Sequence, residues 1–212
     1  MKEIKVNRIS ESISNNSVEE ISNLLDTFEK EKLEFVPWPE FPYKPNVAFS
    51  IAHNNENIFL KYYVQEKYLR CENNTVNSPV HEDSCVEMFL SFDEGVNYYN
   101  FEFNCAGIAK VGYGHSRHSR ELLDKNIVLQ FRAKSIIISE TEKGANWQLT
   151  LAIPVSAFGN IPIHKLSGLN CRANFYKCGD LLPEPHFISW SNIESEKPDF
   201  HSPEFFGRLI FE

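Results

Sequence analysis

Glu87 and Glu102 are the side chains with the most chemistry to offer. Each is the acidic member of an alternating run, CVEMFLS and YYNFEFN, and Asn100 and Asn104 flank Glu102 at two-residue spacing. Two carboxyl groups across a cleft could act as acid and base on a glycosidic bond. The same groups, set among fixed amides and aromatic rings, could instead hydrogen-bond hydroxyls without breaking a bond. No hydrolase motif surrounds either glutamate, and the chain has no Gly-rich phosphate loop and no Ser-centred nucleophile elbow. Glu82 and Asp83, just upstream, are hard oxygen donors suited to Ca²⁺, although their spacing is not that of a known calcium loop. His115 with His118, and Cys171 with Cys178, lack the second pair that a structural zinc would need.

These residues must be held by strands. Period-two alternation puts Val86, Met88, Leu90 and Phe92 on one face and Cys85, Glu87, Phe89 and Ser91 on the other. In the second run Tyr99, Phe101, Phe103 and Cys105 oppose Tyr98, Asn100, Glu102 and Asn104. The connection Asp93-Glu94-Gly95-Val96-Asn97 has a hairpin's composition, with Gly for a positive φ, so the two strands pair antiparallel. Arg172 and Asn174 alternate along CRANFYK and share a face, which adds them to the hydroxyl-binding set. Trp190, between Ser189 and Ser191 with Asn192 following, in a run without periodicity, reads either as core filling or as an exposed platform on which a sugar ring could stack, and the platform is the reading taken forward. Trp147 opens the strand NWQLTLAIP and reads as a packing residue.

The rest of the chain is short strands around one helix. EIKVNRI forms an edge strand, and a capping box at Ser17 and Glu20 starts an amphipathic helix reaching about Lys32. The prolines of 37–45 force an extended strap, with Trp38 as a clamp over a sheet. VAFSIAH and IFLKYYVQ flank a turn at Asn54–Asn57, and GIAKVGYG, IVLQFRAKSIIIS, NWQLTLAIP, LNCRANFYKC and FFGRLIF complete about ten strands. The fold class expected is all-β: a single antiparallel β-sandwich domain over 1–212, with an N-terminal helix and Pro-rich strap at about 17–45. The run 198–207 should fold back as a loop anchored by Phe205 and Phe206. Trp190 and residues 192–196 should then wall the site, while His201 hydrogen-bonds the loop.

Composition narrows the partners. A net charge of −8 with no basic run argues against nucleic acid, and no apolar run is long enough to span a membrane. The five Cys require no oxidising compartment, and Cys85 and Cys105 read as small core residues. MKEIKVNRISES lacks the apolar stretch of a secretory signal, which points to a cytoplasmic protein or to an exported one whose leader has been removed.

EDSCVEMF, YYNFEFNCAG, NWQLTLAIP and KPDFHSPEFFGRLIF resemble the family 9 carbohydrate-binding modules, over about Trp38 to Phe211. The resemblance implies a β-sandwich that binds a saccharide without cofactor or catalysis, at a chain's reducing end between two tryptophans. It assigns Glu87 to sugar hydroxyls and matches Trp190 to one platform. The other platform's place holds His81, and Thr150 stands where such sandwiches often carry Glu. Related sandwiches bind haem. Haem needs axial ligands, and Met88, the one methionine besides Met1, alternates with the core-facing residues.

Overall fold

A computed structural model describes residues 1–212, apart from the side chains of Ser14 and Asn15. Its strands are β1 (Glu3–Arg8), β2 (Glu31–Lys32), β3 (Asn46–His53), β4 (Asn57–Glu66), β5 (Cys85–Ser91), β6 (Tyr98–Asn104), β7 (Ala109–Gly114), β8 (Glu121–Leu122), β9 (Arg132–Thr141), β10 (Gly144–Pro154), β11 (Asn170–Cys178), β12 (Phe187–Ser189) and β13 (Gly207–Phe211). Two helices accompany them, α1 (Val18–Leu25) and α2 (Lys125–Val128). The order β8-β7-β6-β5-β11-β13-β1-β3-β4-β10-β9 curls into a sandwich. β1 joins the two halves, pairing with β13 through Glu3–Val6 and with β3 through Asn7 and Arg8.

The alternation sets which face is buried. Val86, Met88 and Leu90 of β5 and Tyr99, Phe101 and Phe103 of β6 point into the inter-sheet core, where Phe49, Tyr62, Trp147 and Phe175 meet them. Burying such side chains contributes about 1.5–3 kcal/mol each, so a one-residue register slip is strongly disfavoured. The β5–β6 loop places Gly95 at φ +96°, as its composition required, and Glu94 at +59°. α1 lays Ile21 and Leu25 on Ala52, Phe59 and Ala152, covering the outer face of the second sheet. Ser17 and Glu20 form the expected capping box.

On the outer face of the first sheet a separate apolar cluster brings together Cys85, Phe89, Tyr98, Tyr176 and Cys178 with Trp38 of the strap and Ile193, Phe200 and Phe206 of the C-terminal segment. The Trp38 indole donates to the Ser195 carbonyl at 3.1 Å, so strap and C-terminal segment hold each other down.

Several expectations change. β1 is no edge: it has a parallel neighbour on each side, a long-range pairing that local alternation does not encode. The helix stops at Leu25 because Asp26 turns to take Lys61 Nζ at 2.6 Å and the Tyr63 hydroxyl at 2.7 Å, after which Glu31 and Lys32 pair with β3. Residues 125–128 are helical, so the strand expected from Ile127 begins at Arg132.

Candidate functional site

The floor of the site is built by cross-strand register. Glu87 lies directly opposite Glu102 on one side and Tyr176 on the other, all on the outer face of the first sheet. The Tyr62 hydroxyl, reaching from the second sheet, donates to the Glu87 carbonyl at 2.6 Å and fixes β5 at this point. Above the two glutamates is a cleft of about 580 Å³, including its open mouth. His81 forms one wall, and Lys110, Arg117 and Arg120 come from β7 and the loop after it. Asp180 follows β11, and Asp199, Phe200 and His201 come from the C-terminal segment, with Phe187 beside them.

Glu102 is the electrostatic centre. His81 Nδ1 and Lys110 Nζ lie 3.4 Å from one carboxylate oxygen, and Arg120 lies 3.5 Å from the other. Asn100 Nδ2 donates to that second oxygen at 2.8 Å. Burial alone would raise the acid's pKa, but His81, Lys110 and Arg120 together hold it below the ordinary carboxylate range. Glu87 goes the other way: burial first, and then the Glu102 charge, push it up to about 8. Asp180 is raised by burial and by the same Glu102 charge.

His201 closes one side. Its Nε2 lies 2.5 Å from an Arg120 nitrogen, and its Nδ1 lies 2.8 Å from the Tyr98 hydroxyl. A guanidinium can only donate, so Nε2 accepts and the ring hydrogen sits on Nδ1, directed at Tyr98. Burial and the Arg120 charge lower the imidazole to a pKa of about 3, which keeps it neutral.

Of the residues the sequence singled out, His81, Glu87 and Glu102 line the cleft, and Asn100 stands behind Glu102 as its donor. The others serve the fold. Asn104 donates to the Asn73 carbonyl and to Asp83, and its oxygen accepts from the amides of Ala106 and Ile108. Asn174 exchanges hydrogen bonds with the Ser191 backbone. Arg172 donates through Nε and Nη2 to the Phe206 carbonyl, anchoring the C-terminal loop.

Trp190 corrects the expectation of an exposed platform. It is 0% exposed in the inter-sheet core, edge-on to Phe49 and Phe175, and its indole donates to Glu31 at 3.0 Å. Its polar neighbours Ser189 and Ser191 are themselves buried, which is why the local composition misled. Residues 192–196 are likewise replaced as the cleft wall by Pro198–His201. Phe206 is buried as expected, and His201, expected to serve only the loop, also lines the cleft.

Asp83 is not free for Ca²⁺. Its oxygens accept from the amides of Glu72 and Asn73 and from Asn104, which pins the loop before β5. Among the described residues, neither it nor Glu82 belongs to a group of three potential metal ligands. Met88 is fully buried between the sheets rather than in the cleft, which removes it as an axial haem ligand.

Lys110, Arg117, Arg120, Asp180, Asp199 and His201 were not anticipated in the site. Alternation in AKVGYG would have placed Lys110 beside Glu102, and the register confirms that pairing. The other five arrive on loops, where periodicity carries no signal.

A two-sheet β-sandwich with a polar cleft on one outer face and aromatic groups at its rim is the architecture of a binding module. The chain belongs to carbohydrate-binding family 9, whose profile matches residues 19–211, and its function is carbohydrate binding. It is similar to a Bacteroides uniformis protein proposed to bind carbohydrate, with 39% identity, a TM-score of 0.93, and coverage of 100% of this chain and 99% of that one. A family 9 module from Caldicellulosiruptor kristjanssonii in complex with glucose superimposes with a TM-score of 0.63 at 15% identity, over 100% of this chain and 96% of that one. The same module with cellotriose gives the same score and identity over 94% of its chain, and both likenesses concern the fold. A search of curated proteins returns no match.

Proposed function

We propose that the cleft above Glu87 and Glu102 is the saccharide site, and that it takes the end of a sugar chain. The observation that carries this reading is Glu102, a buried carboxylate ringed by Lys110, Arg120 and His81 at 3.4–3.5 Å and facing an open cleft. A sugar hydroxyl both donates and accepts, so it can enter such a ring by donating to the carboxylate and accepting from a cation. Asp180, Asp199 and Arg117 extend the same capacity around the rim. Phe187 and His81 are the flat surfaces available for the apolar face of a ring, in place of two tryptophans. Walls on several sides favour a chain's end over its middle.

Each neutral hydrogen bond nets about 0.5–1.5 kcal/mol, so dissociation constants from micromolar to millimolar are expected. Calorimetry with a panel that includes glucose and cellotriose, the ligands of the Caldicellulosiruptor module, tests the reading. Reduced cellotriose in the same panel tests recognition of the reducing end. Glu102→Gln should weaken the best ligand by about 10-fold or more, since hydrogen bonds to a charged group are worth about 1.5–3 kcal/mol. No heat with any sugar from the folded protein overturns it.

The divergent Glu87 and Glu102 also have the form of an acid–base pair, which favours hydrolysis as a second reading. Glu102, however, is tied to four side chains, and Glu87 is only 4% exposed beneath the cleft. Aryl glycosides and oligosaccharides should therefore be released unchanged. Turnover that disappears in Glu87→Gln would establish the enzyme instead.

A further inference from the structure

Under the cleft, sulfur and oxygen ligands converge from two adjacent strands. Cys85 of β5 and Cys178 of β11 are register partners, and Glu87 lies two residues beyond Cys85 on the same face. Glu87 Oε1 is 3.1 Å from Cys178 Sγ and 4.0 Å from Cys85 Sγ, and the three ligand atoms all lie within 4.8 Å of one another. All three residues are buried, and Glu87 and Cys178 border the cleft, which gives an entry path.

Small thiols beneath an apolar cover are often mere packing. The carboxyl makes this pair different. Among the described residues, the Glu87 carboxyl group's only hydrogen-bond partners are these two thiols, and it has no ion pair. A carboxyl group so buried, with only weak S–H donors, is under-partnered and costly unless something takes its oxygens.

We propose that Cys85, Glu87 and Cys178 form a site for a thiophilic divalent cation of the zinc class, with the fourth coordination position open to the cleft. Bonds of about 2.3 Å to sulfur and 2.0 Å to oxygen in a tetrahedron place ligand atoms about 3.5–3.8 Å apart. The present separations reach that arrangement with side-chain adjustments of under an ångström or so. Two thiolates exclude Ca²⁺ and Mg²⁺ as natural occupants, because those hard ions select oxygen. Loading is balanced by protons: M²⁺ displaces one from each thiol, and one from Glu87 where it is protonated, leaving a centre of net charge −1. Nothing is oxidised or reduced. The site stands on its own residues and does not depend on which sugar the cleft takes.

The test is titration of the reduced full-length protein with Co²⁺, followed by Zn²⁺. One Co²⁺ per chain should bind with a near-ultraviolet thiolate-to-metal absorption band that Zn²⁺ abolishes, and elemental analysis after desalting should find one zinc per chain. The band should persist in Cys71→Ser, which removes the exposed thiol, and vanish in Cys85→Ser and Cys178→Ser that retain the native circular dichroism. Glu87→Gln, close to isosteric, should weaken Co²⁺ at least tenfold and decides the matter if serine at either position unfolds the chain. No band from folded reduced protein, a band that survives both serine variants, or a native Cys85–Cys178 disulfide found by mass spectrometry would each overturn the proposal. Sugar calorimetry on metal-free protein is read separately, so failure of the metal site and failure of the saccharide site are distinguishable.

Discussion

Trp190→Ala separates a core residue from a sugar platform. The indole is wholly enclosed, with Phe49 and Phe175 edge-on at centroid distances of 6.4 and 5.8 Å. Behind it the backbone of Gly207 comes so close that a Cβ there would lie 2.4 Å from the ring. The surroundings are paired strands that cannot collapse into the space left by truncation. A buried Phe or Trp cut to Ala costs about 3–5 kcal/mol, transfer and cavity together. For a chain of this size each kcal/mol lowers Tm by about 2–4 °C, so a drop of roughly 6–20 °C is expected. Thermal melting by circular dichroism reads the stability. Calorimetry at a temperature where the variant remains folded should give the wild-type sugar affinity per folded molecule, because the ring does not reach the cleft. A variant that melts within about 2 °C of wild type yet binds sugar ten times more weakly would refute this placement.

Two further outcomes follow from neighbouring features. Gly207→Ala should destabilise by about 1–3 kcal/mol through overpacking, since its methyl would meet Trp190 at 2.4 Å and the Lys2 carbonyl at 2.8 Å; an unchanged denaturation midpoint would show that the ring can yield. With pH, Glu87 and His201 act in opposite senses. In the metal-free protein Glu87's pKa is about 8 folded against 4.5 unfolded, so between those values the unfolded chain holds fewer protons and stability falls as pH rises. Glu87→Gln should remove that slope. His201's pKa is about 3 folded against 6.5 unfolded, so between pH 6.5 and 3 the unfolded chain holds more protons and stability falls as pH falls. His201→Gln should flatten the acid limb, and urea melts from pH 4 to 8 that are superimposable for both variants and wild type would contradict both assignments.

What was legible in the sequence is what local chemistry dictates. The β5–β6 faces were readable because a strand alternates strictly, and Glu87, Glu102 and Asn100 emerged on the side that carries the cleft. The capping box was readable because Ser17 and Glu20 satisfy each other's backbone donors within one turn. What depended on distant partners was not readable. Asp26 ends α1 by bonding Lys61 and Tyr63 of β4, and Trp190 is buried by residues that arrive from β3 and β11. Asn104, Arg172 and Asn174 were placed on the correct face, yet loop backbone consumes their hydrogen-bonding groups. Half of the cleft, from Arg117 to His201, comes from loops whose only sequence signal is a set of charged residues.

The central claim is that the sugar sits between β7 and the C-terminal segment, over Glu102. Backbone amide shifts of the isotope-labelled protein, followed during titration with the best ligand of the calorimetric panel, test it directly. The largest changes should fall on residues 80–82, 110–120, 179–181 and 198–201, and should be lost in Glu102→Gln while its spectrum remains folded. Changes centred instead on Tyr43–Asn46 and Thr141–Asn146, which line a separate surface pocket at the far end of β4 and β10, would contradict the account.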